Sequence, residues 1–257
     1  LYPSPIKIIE ILKNTFSKKE NLSLEKEYFI ELLKTNESKS LIKIFYDSNK
    51  LKEKYKNYND NINKVSVVGS GLMGTGIANV TLKNNITTNI YDINQHNLNL
   101  SMNKLHQSID KDNKKGKISN FEADKLYQKL SSNNTFCDSD VIIEAVSEDL
   151  NIKEKIFKML DNETTDSTVL ASNTSSLSIN EIAKFSRYPD RVIGMHYFSP
   201  VEKMPLLEII KGEYTSEETL SKAISLGKKQ GKTIIIVKDV PGFFVNRCLT
   251  PYMNEAL

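Results

Sequence analysis

Apolar positions between residues 64 and 240 alternate between short continuous runs and stretches with helical spacing. Strand-like runs fall at 64–68, 87–91, 141–145 (VIIEA), 168–171 and 192–198 (VIGMHYF), separated by helical patterns near 72–83, 94–115, 119–130, 150–160 and 179–185. That βαβ rhythm predicts a doubly wound, Rossmann-type α/β sheet, and the almost unbroken apolar strands predict helices on both faces. After His196 the rhythm changes. LLEII at 206–210 and TIIIV at 233–237, on either side of a helical stretch at 216–230, would add strands at one edge. Residues 238–242 then break the sheet, and a new helix is expected from Phe243.

Residues 1–61 read differently. Pro3 and Pro5 precede helical spacing at Ile6, Ile9, Leu12 and Phe16, a second amphipathic stretch runs from Leu24 to Leu33, and a third carries Leu41, Ile44 and Phe45. These predict polar-faced helices that end in a linker, KEKYKNYNDN. The expected organisation is therefore a helical segment over 1–61, a nucleotide-binding domain over 62–240 and the start of a helical second domain over 241–257. The chain begins at Leu1 rather than Met and ends at Leu257 inside a helical pattern, so it reads as a piece of a longer sequence. The missing targeting signal then carries no information.

The first βα turn reads KVSVVGSGLMGTG, placing Gly69, Gly71 and Gly74 in a G-x-G-x-x-G pattern between a strand and a helix. Gly69 allows the tight turn, Gly71 lets backbone amides approach a pyrophosphate, and Gly74 lets helix and strand pack closely. Leu72 and Met73 lie between the last two glycines, where the helix dipole favours phosphate. Asp92 closes the next apolar run. A carboxylate there accepts hydrogen bonds from a ribose 2′-OH and repels a 2′-phosphate, and Ile93-Asn94-Gln95-His96 supplies no Arg to reverse that preference, so NAD is expected over NADP. FAD uses a similar fingerprint, and the glycines alone leave it open.

Charge changes this picture little. The 35 basic and 32 acidic residues give a formal net charge of +3, and the lysines are scattered, so no nucleic-acid partner is implied. Cys137 and Cys248 lack metal-ligand spacing and are expected as reduced packing residues, and no metal site is expected. No apolar run is long enough to span a bilayer.

Of three histidines, His96 and His106 fall in a polar helix and read as surface. His196 lies near the ligand-facing end of an apolar strand, a place open to a core residue or a reactive one. Glu208, inside the following apolar run, needs a buried partner, and a returning strand would bring it to the imidazole. Such a pair orients the ring and leaves its other nitrogen as a general base. Ala171-Ser172-Asn173-Thr174-Ser175-Ser176 and Asn246 supply uncharged hydrogen-bonding groups, against which stand ordinary turn formation and helix capping. With a nicotinamide cofactor these groups suit oxidation of a secondary alcohol.

GSGLMGTGIA, VIIEAVSEDLNIK, ASNTSSLSI, VIGMHYFSPVEKMPLLEII and KDVPGFFVNR, in this order, resemble the successive motifs of the L-3-hydroxyacyl-CoA dehydrogenase family. YPSPIKIIEIL and TNESKSLIKIF are similar to the segment joining an enoyl-CoA hydratase region to the dehydrogenase in multifunctional fatty-acid β-oxidation proteins. The resemblance implies His196 as catalytic base, Glu208 as its partner, Ser175 and Asn246 as substrate contacts, and Glu148 and Lys153 near the cofactor. It aligns Ser108 and Lys115 with coenzyme A contacts, whereas Ser199 departs from the Asn that single-domain members carry. It further implies an acyl-CoA substrate, a hydratase region and a helical domain beyond this chain, a thiolase partner and membrane association of the parent complex. Residues 1–257 alone would bind NAD and turn over poorly. The expected compartment is the mitochondrial matrix or inner membrane, with bacterial cytoplasm or peroxisome as alternatives. Two rival readings stand beside it: a dehydrogenase of small β-hydroxyacids, which relies on a lysine base, and a non-catalytic NAD-binding protein.

Overall fold

The computed structural model describes residues 2–13 and 18–256; Phe16, Leu1 and Leu257 lie outside them. Two compact units divide the chain, Leu1–Lys54 and Tyr55–Leu257. The first holds α1 (Ser4–Lys13), α2 (Lys18–Leu33) and α3 (Asn36–Lys54). Pro5 sits in the first turn of α1, where a missing amide costs no intrahelical bond. Lys7 ties α1 to α2 through Glu31 at 3.2 Å and the ring of Tyr28 at 4.1 Å.

In the second unit, β1 (Lys64–Val68), α4 (Leu72–Lys83), β2 (Thr87–Tyr91), α5 (Gln95–Lys114), α6 (Asn120–Gln128) and β3 (Leu130–Ser131) form the first half. β4 (Val141–Glu144), α7 (Leu150–Glu163), β5 (Val169–Ser172), α8 (Ile179–Ala183) and β6 (Val192–Tyr197) follow, then β7 (Leu206–Lys211), α9 (Glu217–Lys229), β8 (Thr233–Lys238) and α10 (Val245–Glu255). One eight-stranded sheet has the order β3-β2-β1-β4-β5-β6-β7-β8, parallel except where β7 runs against β6. Central strands are buried from end to end, as a sheet covered on both faces requires.

Four local expectations are corrected. β3 was not expected: two residues are too few to show a strand period, and they pair with Thr88 and Asn89 where the helical pattern was read on to 130. The linker at 52–61 is not slack. Its first residues complete α3, and Asp60 accepts the hydroxyls of Ser221 (2.6 Å) and Ser225 (2.8 Å) on α9, while Lys228 reaches the carbonyls of Lys56 and Tyr58. The last helix starts at Val245, not Phe243, because Gly242 (φ +74°) and Phe243 (φ +50°) both turn left-handed. Burial of the Phe243 ring to 2 % exposure offsets that backbone cost. Finally, Cys137 and Cys248 are free but exposed, so neither is a packing residue.

Candidate active site

The glycine turn is built as the spacing requires. Gly69 has φ +104°, and a Cβ there would lie 2.6 Å from the carbonyl oxygen of Ala145. At Gly74 a Cβ would meet the Gly69 carbonyl at 1.8 Å, so only glycine lets α4 pack on the turn. Gly71 is the opposite case: its Cβ would meet nothing within 4 Å. It caps α4 without any side-chain acceptor, so the first amides of the helix point into open space, as anion binding at a helix N-terminus needs.

Asp92 is held in place at the end of β2. Its Oδ2 accepts the amide and hydroxyl of Ser70, each at 2.8 Å, and its Oδ1 accepts the amide of Asn94 at 2.9 Å. Gly69, Gly71, Leu72, Met73 and Asp92 line one crevice of about 680 Å³, in the size range of small-molecule sites. Ile152, Lys155, Ile156 and Met159 form its α7 wall. Sequence reasoning missed that wall, because its i, i+3, i+4, i+7 spacing is equally that of a core stripe. These residues fit a dinucleotide: uncapped amides for phosphate, a fixed carboxylate for a ribose diol and an apolar slot beside it.

His196 and Glu208 face each other directly across the antiparallel β6–β7 pair, with Nδ1 2.7 Å from Oε2. Glu208 is fully buried, and its Oε1 accepts the amides of Phe244 (3.1 Å) and Val245 (2.9 Å) at the start of α10. Burial pushes the Glu208 carboxyl up, but the bond from His196 and the two amides outweigh it and hold the group below the usual range. Ionised Glu208 makes Nδ1 the donor, which fixes the tautomer with Nε2 as acceptor. Nε2 has no hydrogen-bond partner among the described residues, and the ring lies beside those of Phe198 (centroids 4.5 Å apart) and Phe243 (5.8 Å).

A second carboxylate system organises the loop after β5. Glu148 Oε1 accepts the Thr174 hydroxyl (2.6 Å) and the amides of Ser175 (2.7 Å) and Ser176 (3.1 Å), with the Ser175 hydroxyl at 3.1 Å. Burial raises this carboxyl, and those donors together with the Lys153 charge bring it below the ordinary value. Asn246 does not cap α10; its amide donates to the Ser175 carbonyl at 3.3 Å. The structure thus brings Ser175, Asn246 and Glu148 together.

Lys153, expected near the cofactor, is buried beside Glu148, 3.5 Å from its Oε2. It is 1 % exposed, bound to Glu144 at 2.7 and 2.8 Å, and, like Glu148, absent from the crevice wall. Glu144, which sequence reasoning missed, also accepts the Ser172 hydroxyl and the Val146 amide. Ser108 lines a separate groove of about 340 Å³ between α4, α5 and the loop after β6, with Lys104 and Lys111 beside it. Lys115 caps the C-terminus of α5 and does not line that groove. Among the described residues no His/Cys/Asp/Glu group could hold a metal, and no helix is long and apolar enough to cross a membrane.

Known proteins are similar to this chain in sequence and fold. Fatty acid oxidation complex subunit alpha of Shewanella amazonensis is 40% identical over 264 residues, covering 99% of this chain and 37% of that protein. The subunit of the same name from Vibrio vulnificus is 39% identical over 263 residues, with the same coverage. The chain therefore spans well under half the length of these relatives, which are bacterial. Among solved structures, 3-hydroxybutyryl-CoA dehydrogenase of Escherichia coli is 33% identical with a TM-score of 0.73, covering 77% of this chain and 42% of that one. The (S)-3-hydroxybutyryl-CoA dehydrogenase of Ralstonia eutropha is 36% identical with a TM-score of 0.72, over 76% and 70%. Residues 64–240 match the family profile described as 3-hydroxyacyl-CoA dehydrogenase, NAD binding domain. With its glycine turn, fixed Asp92 and β6–β7 hairpin inside that span, the chain belongs to the NAD-binding domain family of the 3-hydroxyacyl-CoA dehydrogenases.

Proposed function

We propose that this chain is the NAD-binding part of an enzyme that oxidises L-3-hydroxyacyl-CoA to 3-ketoacyl-CoA in fatty-acid β-oxidation. The observation that carries the reading is the His196–Glu208 pair, set at the ligand-facing end of the sheet whose first turn is a dinucleotide cradle. His196 Nε2 takes the proton of the substrate hydroxyl, and the imidazolium that results is held by ionised Glu208. Bound NAD⁺ supplies the acceptor for the hydride leaving the same carbon. Ser175 and Asn246 orient the reacting oxygen, and Glu148 holds their loop. Gly69, Gly71, Leu72, Met73 and Gly74 form the phosphate turn, and Asp92 selects the ribose of NAD. Ser108 reads as a coenzyme A contact, with the nearby Lys104 and Lys111 better placed than Lys115 to meet its phosphates.

The greater length of the relatives supports a parent in which residues 1–61 follow an enoyl-CoA hydratase region and 241–257 begin a helical domain. Exposed Phe244, Leu249, Tyr252 and Met253 on and beside α10 suit a surface covered by such a domain. A thiolase partner and membrane association belong to the same reading of the parent. Bacterial relatives favour the bacterial cytoplasm over the mitochondrion as its compartment.

The test is NADH consumption with a 3-ketoacyl-CoA against the free 3-keto acid, for residues 1–257 and for a chain as long as the relatives. The longer chain should reduce the thioester far faster than the acid, and residues 1–257 alone should bind NADH but turn over slowly, because an open site loses orientation of the reacting carbons. Equal rates on thioester and free acid would overturn the substrate reading.

A further inference from the structure

Strand order decides where the two halves of a dinucleotide fall. In a sheet ordered β3-β2-β1-β4-β5-β6 the ligand crosses the junction of β1 and β4, with one nucleoside over the β2 end and the other over the ends of β4 and β5. Asp92 marks the first side. On the second side stand Glu144 at the end of β4, Glu148 in the loop that follows, and residues 172–176 at the end of β5.

Glu148 is the less closely paired of the two glutamates on that second side. Lys153 is the only cation within ion-pair distance of either carboxylate among the described residues, and it is committed to Glu144 through two contacts below 3 Å. Glu148 receives it only at 3.5 Å, through Oε2, and its side chain is 36% exposed. Two neighbouring acids are fixed as well, and Lys155 lines the crevice on the α7 side. Asp149 caps the amides of Asn151 and Ile152, and Glu208 is paired with His196. The loop donors fix Oε1 of Glu148 without cancelling its charge, so a fixed carboxylate, more weakly paired than Glu144, stands on the side where the second nucleoside ends.

We infer that Glu148 selects the redox state of the cofactor: its carboxylate favours the cationic pyridinium ring of NAD⁺ over the uncharged dihydropyridine ring of NADH. The inference rests on the reading that the crevice holds a nicotinamide dinucleotide. NAD⁺ and NADH share the same pyrophosphate, riboses and adenine, so the ratio of their affinities reports on the ring, and its change on removing one carboxylate reports on the ring charge. A carboxylate 36% exposed at the edge of such a site acts on a nearby ring charge through an effective dielectric below that of water, and it is partly screened by salt. The bias runs toward the form that accepts hydride, which suits a site used for alcohol oxidation.

Calorimetric titration of the full chain with NAD⁺ and with NADH tests this without any turnover. Glu148→Gln should raise the Kd for NAD⁺ about 3–10-fold while moving that for NADH by less than about 2-fold, the range expected for one partly screened charge. Thr174→Val removes the shortest hydroxyl donor on the same carboxylate without changing charge, and it should move both Kd values by the same factor. In the unaltered chain the affinity for NAD⁺ relative to NADH should fall as salt is raised, a readout that survives even if the Gln variant fails to fold. Equal changes for both cofactors in Glu148→Gln, or a ratio indifferent to salt, would overturn the inference while leaving the cofactor site intact. Binding of neither form would overturn the cofactor site itself and this inference with it.

Discussion

Replacing Lys153 with Met should destabilise the fold by about 3–5 kcal/mol, the cost typical of removing one partner from a buried ion pair. Lys153 and Glu144 are both essentially unexposed, and Met matches the aliphatic stem of lysine, so packing changes little while the charge disappears. Glu144 would keep the Ser172 hydroxyl and the Val146 amide but lose its only cation within ion-pair distance among the described residues. Adding Glu144→Gln to the Lys153→Met variant should recover much of the loss, because a neutral amide no longer has to be held ionised in a dry site. Urea unfolding of the two variants checks this. A loss below about 1 kcal/mol for the single change would mean that water reaches the pair and that it is no anchor of the β4 and β5 ends.

In the parent enzyme, His196→Gln should lower turnover by about 10²–10⁴ while leaving NADH affinity nearly unchanged, the usual consequence of removing a general base. Glu208→Gln should give a loss of the same kind, since a neutral partner neither fixes the tautomer nor stabilises the imidazolium. The double variant should lose much less than the product of the single losses, because the two side chains share one hydrogen bond and one role. Fully multiplicative losses in kcat would mean that the two residues act independently. Glu208 also contributes to stability. Burial raises its pKa, but the bond from His196 and the α10 amides hold it below the ordinary 4.5, so that contribution is complete above that value and is lost as acid carries the group through its lowered folded-state pKa.

Much of this site was legible in residue order, for identifiable reasons. A strand has a period of two and a hairpin returns antiparallel, so a histidine in one buried run and a glutamate in the next had few places to go but opposite each other. The glycine turn was legible because each position carries a separate steric demand, and the structure bears out those demands at Gly69 and Gly74. The Glu144–Lys153 pair was not. A lysine on an amphipathic helix ordinarily faces water, and nothing in the local pattern tells that it turns inward toward a strand end. The α7 wall of the crevice was hidden because an apolar stripe left uncovered for a ligand has the same spacing as one covered by protein. The docking of 55–62 on α9 depends on contacts more than 150 residues apart in the chain, which no local window contains. Cys137 and Cys248 misled for a related reason: apolar neighbours in sequence do not bury a residue when its own side chain points outward.

The most direct test of the central claim is an NADH titration of this chain and of Gly71→Val, followed by cofactor fluorescence. A Cβ at Gly71 meets no protein atom within 4 Å and needs no unusual backbone, so the variant should fold, with only the modest loss that a β-branched residue causes at a helix N-cap. The same side chain would stand where a pyrophosphate must approach the first amides of α4, so the account predicts saturable binding at one site in the unaltered chain, weakened at least about 10-fold in Gly71→Val, the scale of losing charge-assisted hydrogen bonds. Absent saturable binding in the unaltered chain, or equal affinity in a folded Gly71→Val variant, would contradict the assignment of this crevice as the dinucleotide site.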